Sequence, residues 1–274
     1  MNKVLLVVAA LMVLSFGGKA VQAADMPVKA APVPVFSWSG CYVGVQAGYK
    51  WGSTDHIYGG LAGGAPQPGA PAGFDATGWF HVNGAVGGGE AGCQYQWGSW
   101  VWGIEIDGSF SAAEGQSNPS AAAIALPGAI DPRTLFSTSE RWLATARGRL
   151  GYAWDNWLWY VTAGAAWGGF DLHNGLPVSV NPAANFAAER KTAAGWVVGY
   201  GTEYNLGHGW SVKSESLYIQ FDRMHYGDQP FPCAPPAFPG NGGCPNADVK
   251  MHEWIWRVGM NYKFDWYTPV VAKY

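Results

Sequence analysis

Residues 252–264 read HEWIWRVGMNYKF, and this stretch decides the fold. Every second residue from Trp254 to Phe264 is apolar, whereas the alternate positions from 253 onward include Glu253, Arg257 and Lys263. A period of two residues is that of a β-strand, in which successive side chains point to opposite faces of the sheet. The stretch therefore predicts a strand with one apolar face and one polar face.

The same alternation recurs upstream, so that the chain contains eight strand-like segments. They are residues 41–51, 80–96, 100–110, 139–152, 158–170, 193–206, 210–221 and 252–264. The fifth segment is apolar on both faces, so its alternation does not assign its residues to a side. The connections at 97–99, 153–157 and 207–209 are short, whereas those near 53–79, 111–138, 171–192 and 222–251 are long. Short turns alternating with long loops predict an all-β fold, an eight-stranded antiparallel up-and-down transmembrane barrel with long extracellular loops.

Tryptophan is placed at both ends of these segments. At the long-loop ends lie Trp51, Trp142, Trp167, Trp196 and Trp254, and at the short-turn ends lie Trp97, Trp100, Trp102, Trp154, Trp157, Trp159 and Trp210. Indole prefers the headgroup level of a bilayer, so the two groups predict two aromatic belts. A soluble, secreted β-sandwich also has alternating strands, but it predicts neither the belts nor the alternating loop lengths.

The composition favours a membrane-embedded surface. Charged residues are 13% of the chain and aromatic residues 15%, whereas an ordinary soluble domain is roughly 25% charged. The net charge of -3 gives no reason to expect a nucleic acid partner. The histidines do not cluster, and we interpret them as solvated residues of loops, turns and strand ends. They are His56, His81, His173, His208, His225 and His252. We therefore predict no catalytic residue, no metal site and no cofactor.

The N-terminus has the pattern of a secretory signal peptide. Asn2 and Lys3 precede an apolar run from Val4 to Phe16, and small residues follow at Ala20 and Ala23. This pattern predicts a signal peptide over residues 1–23, cleaved after Ala23 or, alternatively, one residue later. We expect a Pro-rich periplasmic lead-in over 24–39, the barrel over 40–264 and a periplasmic tail over 265–274.

The polar faces of the strands carry charges of both signs. An eight-stranded barrel is only wide enough for its own side chains, so these charges must pair inside it, since an unpaired buried charge is costly. The predicted ion-pair network comprises Lys50, Glu90, Glu105, Asp107, Arg147, Arg149, Glu203, Lys213, Glu215 and Arg257. The alternative is a catalytic or conducting interior, in which paired carboxylates would act as acid and base.

Four cysteines in an exported chain predict disulfides. Cys41 and Cys93 lie near the same ends of neighbouring antiparallel segments and share the outward alternation, so we expect them to form a cross-strand bridge. Cys233 and Cys244 lie in the last long connection, where a second bridge would close a short loop. Four free thiols are the alternative.

The final strand carries a further motif, RVGMNYKF at 257–264. Arg257, Gly259, Tyr262 and Phe264 match the last-strand signal that barrel-assembly machinery recognises. Together with FSWSGCYVGVQAGYKWG, GAVGGGEAGCQYQWGSWVWGIEIDGSF, WLATARGRLGYAWDNWLWYVTAGAAWG and GWVVGYGTEYNLGHGWSVKSESLYIQF, it resembles the alphaproteobacterial outer-membrane immunogenic protein family. These are OmpA-like, eight-stranded barrels of the "porin family". The resemblance covers the strands and is absent from the long loops.

The resemblance implies a non-enzymatic protein of the cell outer membrane of a Gram-negative bacterium. Its expected roles are envelope integrity, surface antigenicity and adhesion. A small diffusion pore is the alternative, and a lipid-modifying enzyme is a further one. The expected partners are outer-membrane lipids and lipopolysaccharide, the barrel-assembly machinery, and host or surface ligands bound by the long loops.

Overall fold

The structure is a computed structural model that describes residues 36–61, 73–125, 132–175, 185–226 and 245–264. The predicted signal peptide, most of the predicted lead-in, the C-terminal tail, and Cys233 and Cys244 lie outside the described residues.

Ten strands and one short helix make up the described chain. In order they are β1 (Gly40–Leu61), β2 (Phe74–Asp75), β3 (Phe80–Trp97), β4 (Trp100–Ser117), α1 (Ala121–Ile124), β5 (Leu135–Trp154), β6 (Trp157–Gly175), β7 (Asn185–Gly207), β8 (Trp210–Phe221), β9 (Met224–Tyr226) and β10 (Pro245–Phe264). Helix α1 has four residues. No helix among the described residues is long and apolar enough to cross a membrane.

The eight long strands form a closed antiparallel ring. Each pairs with its neighbour in chain order, and β10 returns to pair with β1, so that Cys41 lies opposite Phe264. The short strands β2 and β9 add to β1 and β10 outside this order. The eight-stranded up-and-down barrel predicted from the alternation is confirmed.

The strands continue well past the predicted boundaries at the long-loop end. Strand β1 runs to Leu61, ten residues beyond Trp51, and β4 runs to Ser117. A membrane-crossing strand needs only about 9–11 residues, so the wall of the barrel projects beyond the upper aromatic belt. The regions near 53–79 and 111–138 therefore contain strand that we predicted as loop. The alternation weakens there because a wall outside the lipid needs no apolar outer face.

The short turns use residues that tolerate a left-handed backbone. Gly98, Asp155 and His208 have φ values of 62°, 52° and 53°. Glycine adopts this conformation without steric cost and aspartate tolerates it. These tight turns fix the register of each hairpin and define the short-turn end of the barrel.

Tryptophans at both strand ends face outward. Trp51 and Trp254 at the long-loop end are each 50% exposed, and Trp97 and Trp154 at the short-turn end are 74% and 70% exposed. The structure also resolves the ambiguous fifth segment, since Leu158 and Tyr160 face the interior and Val161 faces outward.

A β-bulge interrupts β5 between Glu140 and Trp142. A regular alternation along the fourth predicted segment places the intervening residue, Arg141, on the polar inner face with Arg147 and Arg149, and this prediction is wrong: its side chain is 58% exposed. The extra residue shifts the alternation, so that Arg141 and Trp142 are both exposed while Glu140 faces inward.

Candidate functional site

The interior of the barrel is the candidate functional site. All ten residues of the predicted network lie inside it, each at most 5% exposed. They come from seven of the eight long strands, β1, β3, β4, β5, β7, β8 and β10, and the eighth, β6, adds Tyr160 to the same enclosed space.

Arg147 and Arg257 form the centre of this space. Arg147 donates to Glu215 Oε2 at 2.7 Å and to Asp107 Oδ2 at 3.0 Å, and it also pairs with Glu105. Arg257 donates to Asp107 Oδ1 at 2.8 Å and to Glu215 Oε1 at 2.7 Å. The two guanidinium groups thus share the same two carboxylates, in the multidentate geometry that favours arginine over lysine in buried pairs.

Two further cations extend the network sideways. Lys213 Nζ lies 2.5 Å from Glu90 Oε2 and 3.2 Å from Glu105 Oε1. Arg149 donates to Glu105 Oε2 at 3.0 Å and to Glu203 Oε2 at 2.8 Å. Glu105 therefore connects three cations, and a change at any of them reaches the rest of the network.

Neutral hydroxyl groups donate further hydrogen bonds to these carboxylates. Tyr42 donates to Glu105 Oε2 at 2.5 Å, and Ser211 donates to Glu203 Oε1 at 2.5 Å. The Arg149 guanidinium also lies 3.9 Å from the centroid of the Tyr160 ring.

Glycine makes room for these tyrosines. A Cβ at Gly92 would lie 2.5 Å from the Tyr42 hydroxyl, and one at Gly201 would lie 2.5 Å from the Tyr160 hydroxyl. No larger residue at these two positions would leave the tyrosine hydroxyls where they are.

Lys50 belongs to a separate ion cluster nearer the long-loop end. Its Nζ donates to Glu253 Oε2 at 2.7 Å and pairs with Glu140, and all three side chains are fully buried. The predicted network lacked both carboxylates. Glu253 was assigned to the polar face of its strand, and its spacing of four residues from Arg257 could have added it. Glu140 was hidden by the bulge, which no alternation rule reveals.

From the level of Lys50 towards the long-loop end the interior is mainly apolar. Leu143, Val197, Leu217, Ile219 and Ile255 are each at most 1% exposed and belong to one cluster of buried side chains. This cluster fills the barrel between the ion pairs and the long-loop end. The predicted ion-pair plug therefore accounts for only part of the filling.

His56 lies at the top of the apolar cluster, five residues beyond Trp51 and outside the aromatic belt. Its Nδ1 lies 2.8 Å from the Tyr226 hydroxyl and its Nε2 lies 3.0 Å from Thr138 Oγ1. Burial among aromatic rings lowers the pKa of His56 to about 3, because no carboxylate compensates the cost of its charged form. The interpretation of His56 as a solvated loop residue was wrong.

The short-turn end is closed by residues just before β1. Trp38 is 2% exposed and packs with Val101, Leu158 and Tyr160, and its backbone N–H donates to Gln96 Oε1 at 2.8 Å. Beside it is a cavity of about 10 Å³, room for about one water molecule. Trp38 falls in the predicted lead-in, where no feature of the sequence indicated that a tryptophan enters the barrel.

The disulfide between Cys41 and Cys93 is present, as the alternation predicted. The two residues are paired neighbours on β1 and β3, with Cα atoms 4.0 Å apart. The bridge joins the first two long strands near the short-turn end.

The four residues of the terminal motif lie along β10. Arg257 enters the ion network, Gly259 pairs with Gln46, and Tyr262 and Phe264 face outward with their ring centroids 5.3 Å apart. Their role in assembly stays a prediction. Within the described residues, no group of three or more His, Cys, Asp or Glu side chains is arranged to hold a metal ion.

The chain is similar to known outer-membrane proteins. Residues 8–264 match the family model described as "Outer membrane protein beta-barrel domain". The chain is 32% identical over 237 residues to a 31 kDa outer-membrane immunogenic protein of Brucella melitensis, covering 86% of this chain and 87% of the relative. It is 25% identical over 232 residues to a 25 kDa outer-membrane immunogenic protein of Brucella canis, covering 82% and 87%.

Among solved structures, the outer membrane protein OprG from Pseudomonas aeruginosa superposes with a TM-score of 0.51 at 15% identity. The match covers 82% of this chain and 96% of that one. At this identity the likeness concerns the fold alone.

Proposed function

Since this chain belongs to the outer membrane protein β-barrel family and is located in the cell outer membrane, we propose that it is a non-enzymatic envelope barrel whose interior is closed to solutes. In this role it contributes to envelope integrity and carries a surface-exposed antigenic and adhesive part at its extracellular end. The short turns then face the periplasm and the long connections face the outside.

One observation carries the closed interior: the filling is continuous along the barrel axis. Trp38 occupies the periplasmic end, the arginine-centred ion network follows, and Lys50 with its two carboxylates lies above it. The apolar cluster that contains Leu217 comes next, and His56 lies at the top of the filling. A solute would have to displace buried ion pairs or packed apolar side chains to pass.

The surface role is supported by the projecting wall and by the relatives. Strands that continue beyond the upper aromatic belt hold the long connections away from the bilayer. Both Brucella relatives are named as immunogenic outer-membrane proteins. We extend this surface role to adhesion, in which the long connections bind host or surface ligands.

Single-channel recording in planar bilayers tests closure. We expect no steady openings from the folded, purified barrel, with a wide general porin recorded in the same bilayers as the positive control. Steady nanosiemens openings would contradict the proposal and favour the small diffusion pore.

Lipid analysis tests the non-enzymatic part. A deletion strain should keep the lipid species and acylation pattern of its parent, whereas a lipid product that disappears on deletion and returns with the intact gene would show a lipid-modifying enzyme. Adhesion is tested separately, by comparing the attachment of the two strains to host cells.

A further inference from the structure

An open crevice lies on the outer wall of the barrel, where β1 is flanked by β3 and β10 at the long-loop end. Its volume is about 370 Å³, within the range of small-molecule sites. The lining residues are Trp51, Gly52, Ser53, His81, Asn83, His252 and Trp254. The predicted interior network contributes none of them.

The strand register builds this crevice from two rows. In the upper row, Ser53 is paired with His81 on one side and His252 on the other. In the lower row, two residues nearer the membrane centre, Trp51 is paired with Asn83 and Trp254. A polar row thus lies directly above a row of two tryptophans and one asparagine on three adjacent strands.

Neighbouring side chains hold the crevice in shape. The Trp79 ring lies 5.0 Å from the His252 ring, and the Tyr218 ring lies 5.0 Å from that of Trp254. Ser53 Oγ lies 3.4 Å from His81 Nδ1. Trp51 and Trp254 nevertheless remain half exposed, so their ring faces are available to a ligand.

The two rows suit a ligand that is apolar on one face and rich in hydroxyl groups at its edge. A sugar ring has this character, because its C–H face can lie on an indole while its hydroxyls bond to imidazole, hydroxyl and amide groups. None of the seven lining residues is acidic, so a phosphate on the sugar would meet no carboxylate in the lining.

The position of the crevice selects the source of the sugar. Trp51 and Trp254 belong to the upper aromatic belt, which marks the headgroup level of the outer leaflet. We propose that the crevice binds the sugar headgroup of an outer-leaflet glycolipid. The proposal rests on the location of the barrel in the outer membrane and is independent of whether the interior conducts.

Retention of glycolipid by the full-length folded barrel tests this proposal. The barrel is reconstituted in phosphatidylcholine nanodiscs containing a small fraction of a phosphorylated, acylated glucosamine disaccharide, and bound lipid is counted by native mass spectrometry. We expect wild type to retain the glycolipid and the variants Trp254→Ala and His252→Ala to retain about tenfold less, which corresponds to losing about 1.4 kcal/mol.

The matched control is Trp210→Ala, which removes an outward tryptophan of similar exposure from the periplasmic belt. It should retain the glycolipid as wild type does, and all variants must show the folded, heat-modifiable band. Equal retention by Trp254→Ala and Trp210→Ala would overturn the proposal, as would equal retention of phosphatidylcholine. Displacement of the glycolipid by the free, unacylated disaccharide at equal concentration would assign the crevice to a soluble sugar and also overturn it.

Discussion

The two halves of the barrel interior are filled by opposite chemistry. In the periplasmic half, Arg147 and Arg257 share carboxylates with distances of 2.7–3.0 Å. In the extracellular half, side chains such as Leu217 and Ile219 pack without any exposed surface. The same ring of eight strands can therefore enclose either a charged or an apolar interior, provided that every charge is paired and every apolar side chain is enclosed.

The difference also explains what could be read from the sequence. Charged residues alternating with apolar ones reveal which face is inside, as in β5 around Arg147 and Arg149. The fifth predicted segment, in β6, is apolar on both faces, so its alternation does not reveal its orientation. The predictions below test whether the two halves stabilise the barrel in different ways.

The largest expected effect is in the charged half. Arg147→Glu should lower the free energy of unfolding by about 3–5 kcal/mol, because it removes the cation that contacts Glu105, Asp107 and Glu215 and places another carboxylate beside them. Urea unfolding in lipid vesicles, followed by cold and boiled gel migration, measures this. Arg141→Glu, on the same strand but exposed, is the control and should change little. An unchanged midpoint for Arg147→Glu would mean that the network is solvated.

The apolar half should respond through packing rather than charge. Leu217→Ala should cost about 2–5 kcal/mol, since it removes buried methyl groups and leaves a cavity. Val198→Ala, on the lipid-facing side of the neighbouring strand, is the control in the same unfolding assay. If both variants lose the same amount, the interior at Leu217 is not tightly packed.

A pH dependence should distinguish the top of the apolar half. The pKa of His56 is lowered to about 3 from an ordinary 6.5, so the unfolded chain binds a proton that the folded barrel excludes. Stability contributed by neutral His56 is complete above about pH 6.5 and falls by up to about 1.4 kcal/mol per pH unit below it, continuing towards pH 3.

The measurement is the difference in unfolding free energy between wild type and His56→Gln from pH 8 to pH 4.5. The difference should be constant near pH 8 and shrink or reverse as the pH falls. A difference that stays constant across the whole range would show that His56 is protonated equally in both states.

The smallest expected effect lies outside the barrel wall. Asp171→Asn removes the charge that pairs with Arg141 at 2.5 Å, but both side chains are partly exposed, so the loss should be about 0–1 kcal/mol. Asp107→Asn, the same change inside the network, is the comparison and should cost clearly more. Equal losses would remove the distinction between buried and surface ion pairs here.

The sequence predicts the ring of strands and the inward charges well, because both follow from an alternation of two. It does not predict features that depend on breaking that alternation or on distant partners. The bulge at Arg141 brings Glu140 to Lys50, and the entry of Trp38 into the barrel depends on the space left at the periplasmic end. His56 is buried because the strands extend past the membrane, where the pattern no longer marks the lipid.

The pairing of β1 with β10 determines when the barrel can close during its synthesis and export. Cys41 lies opposite Phe264 and Trp51 opposite Trp254, so the first strand cannot complete its hydrogen bonds until the last strand has been synthesised and exported. Contacts of such long sequence separation form late and slowly. Until then the open edges of the sheet can pair with other chains, so the unfinished barrel depends on being kept apart from its copies during export.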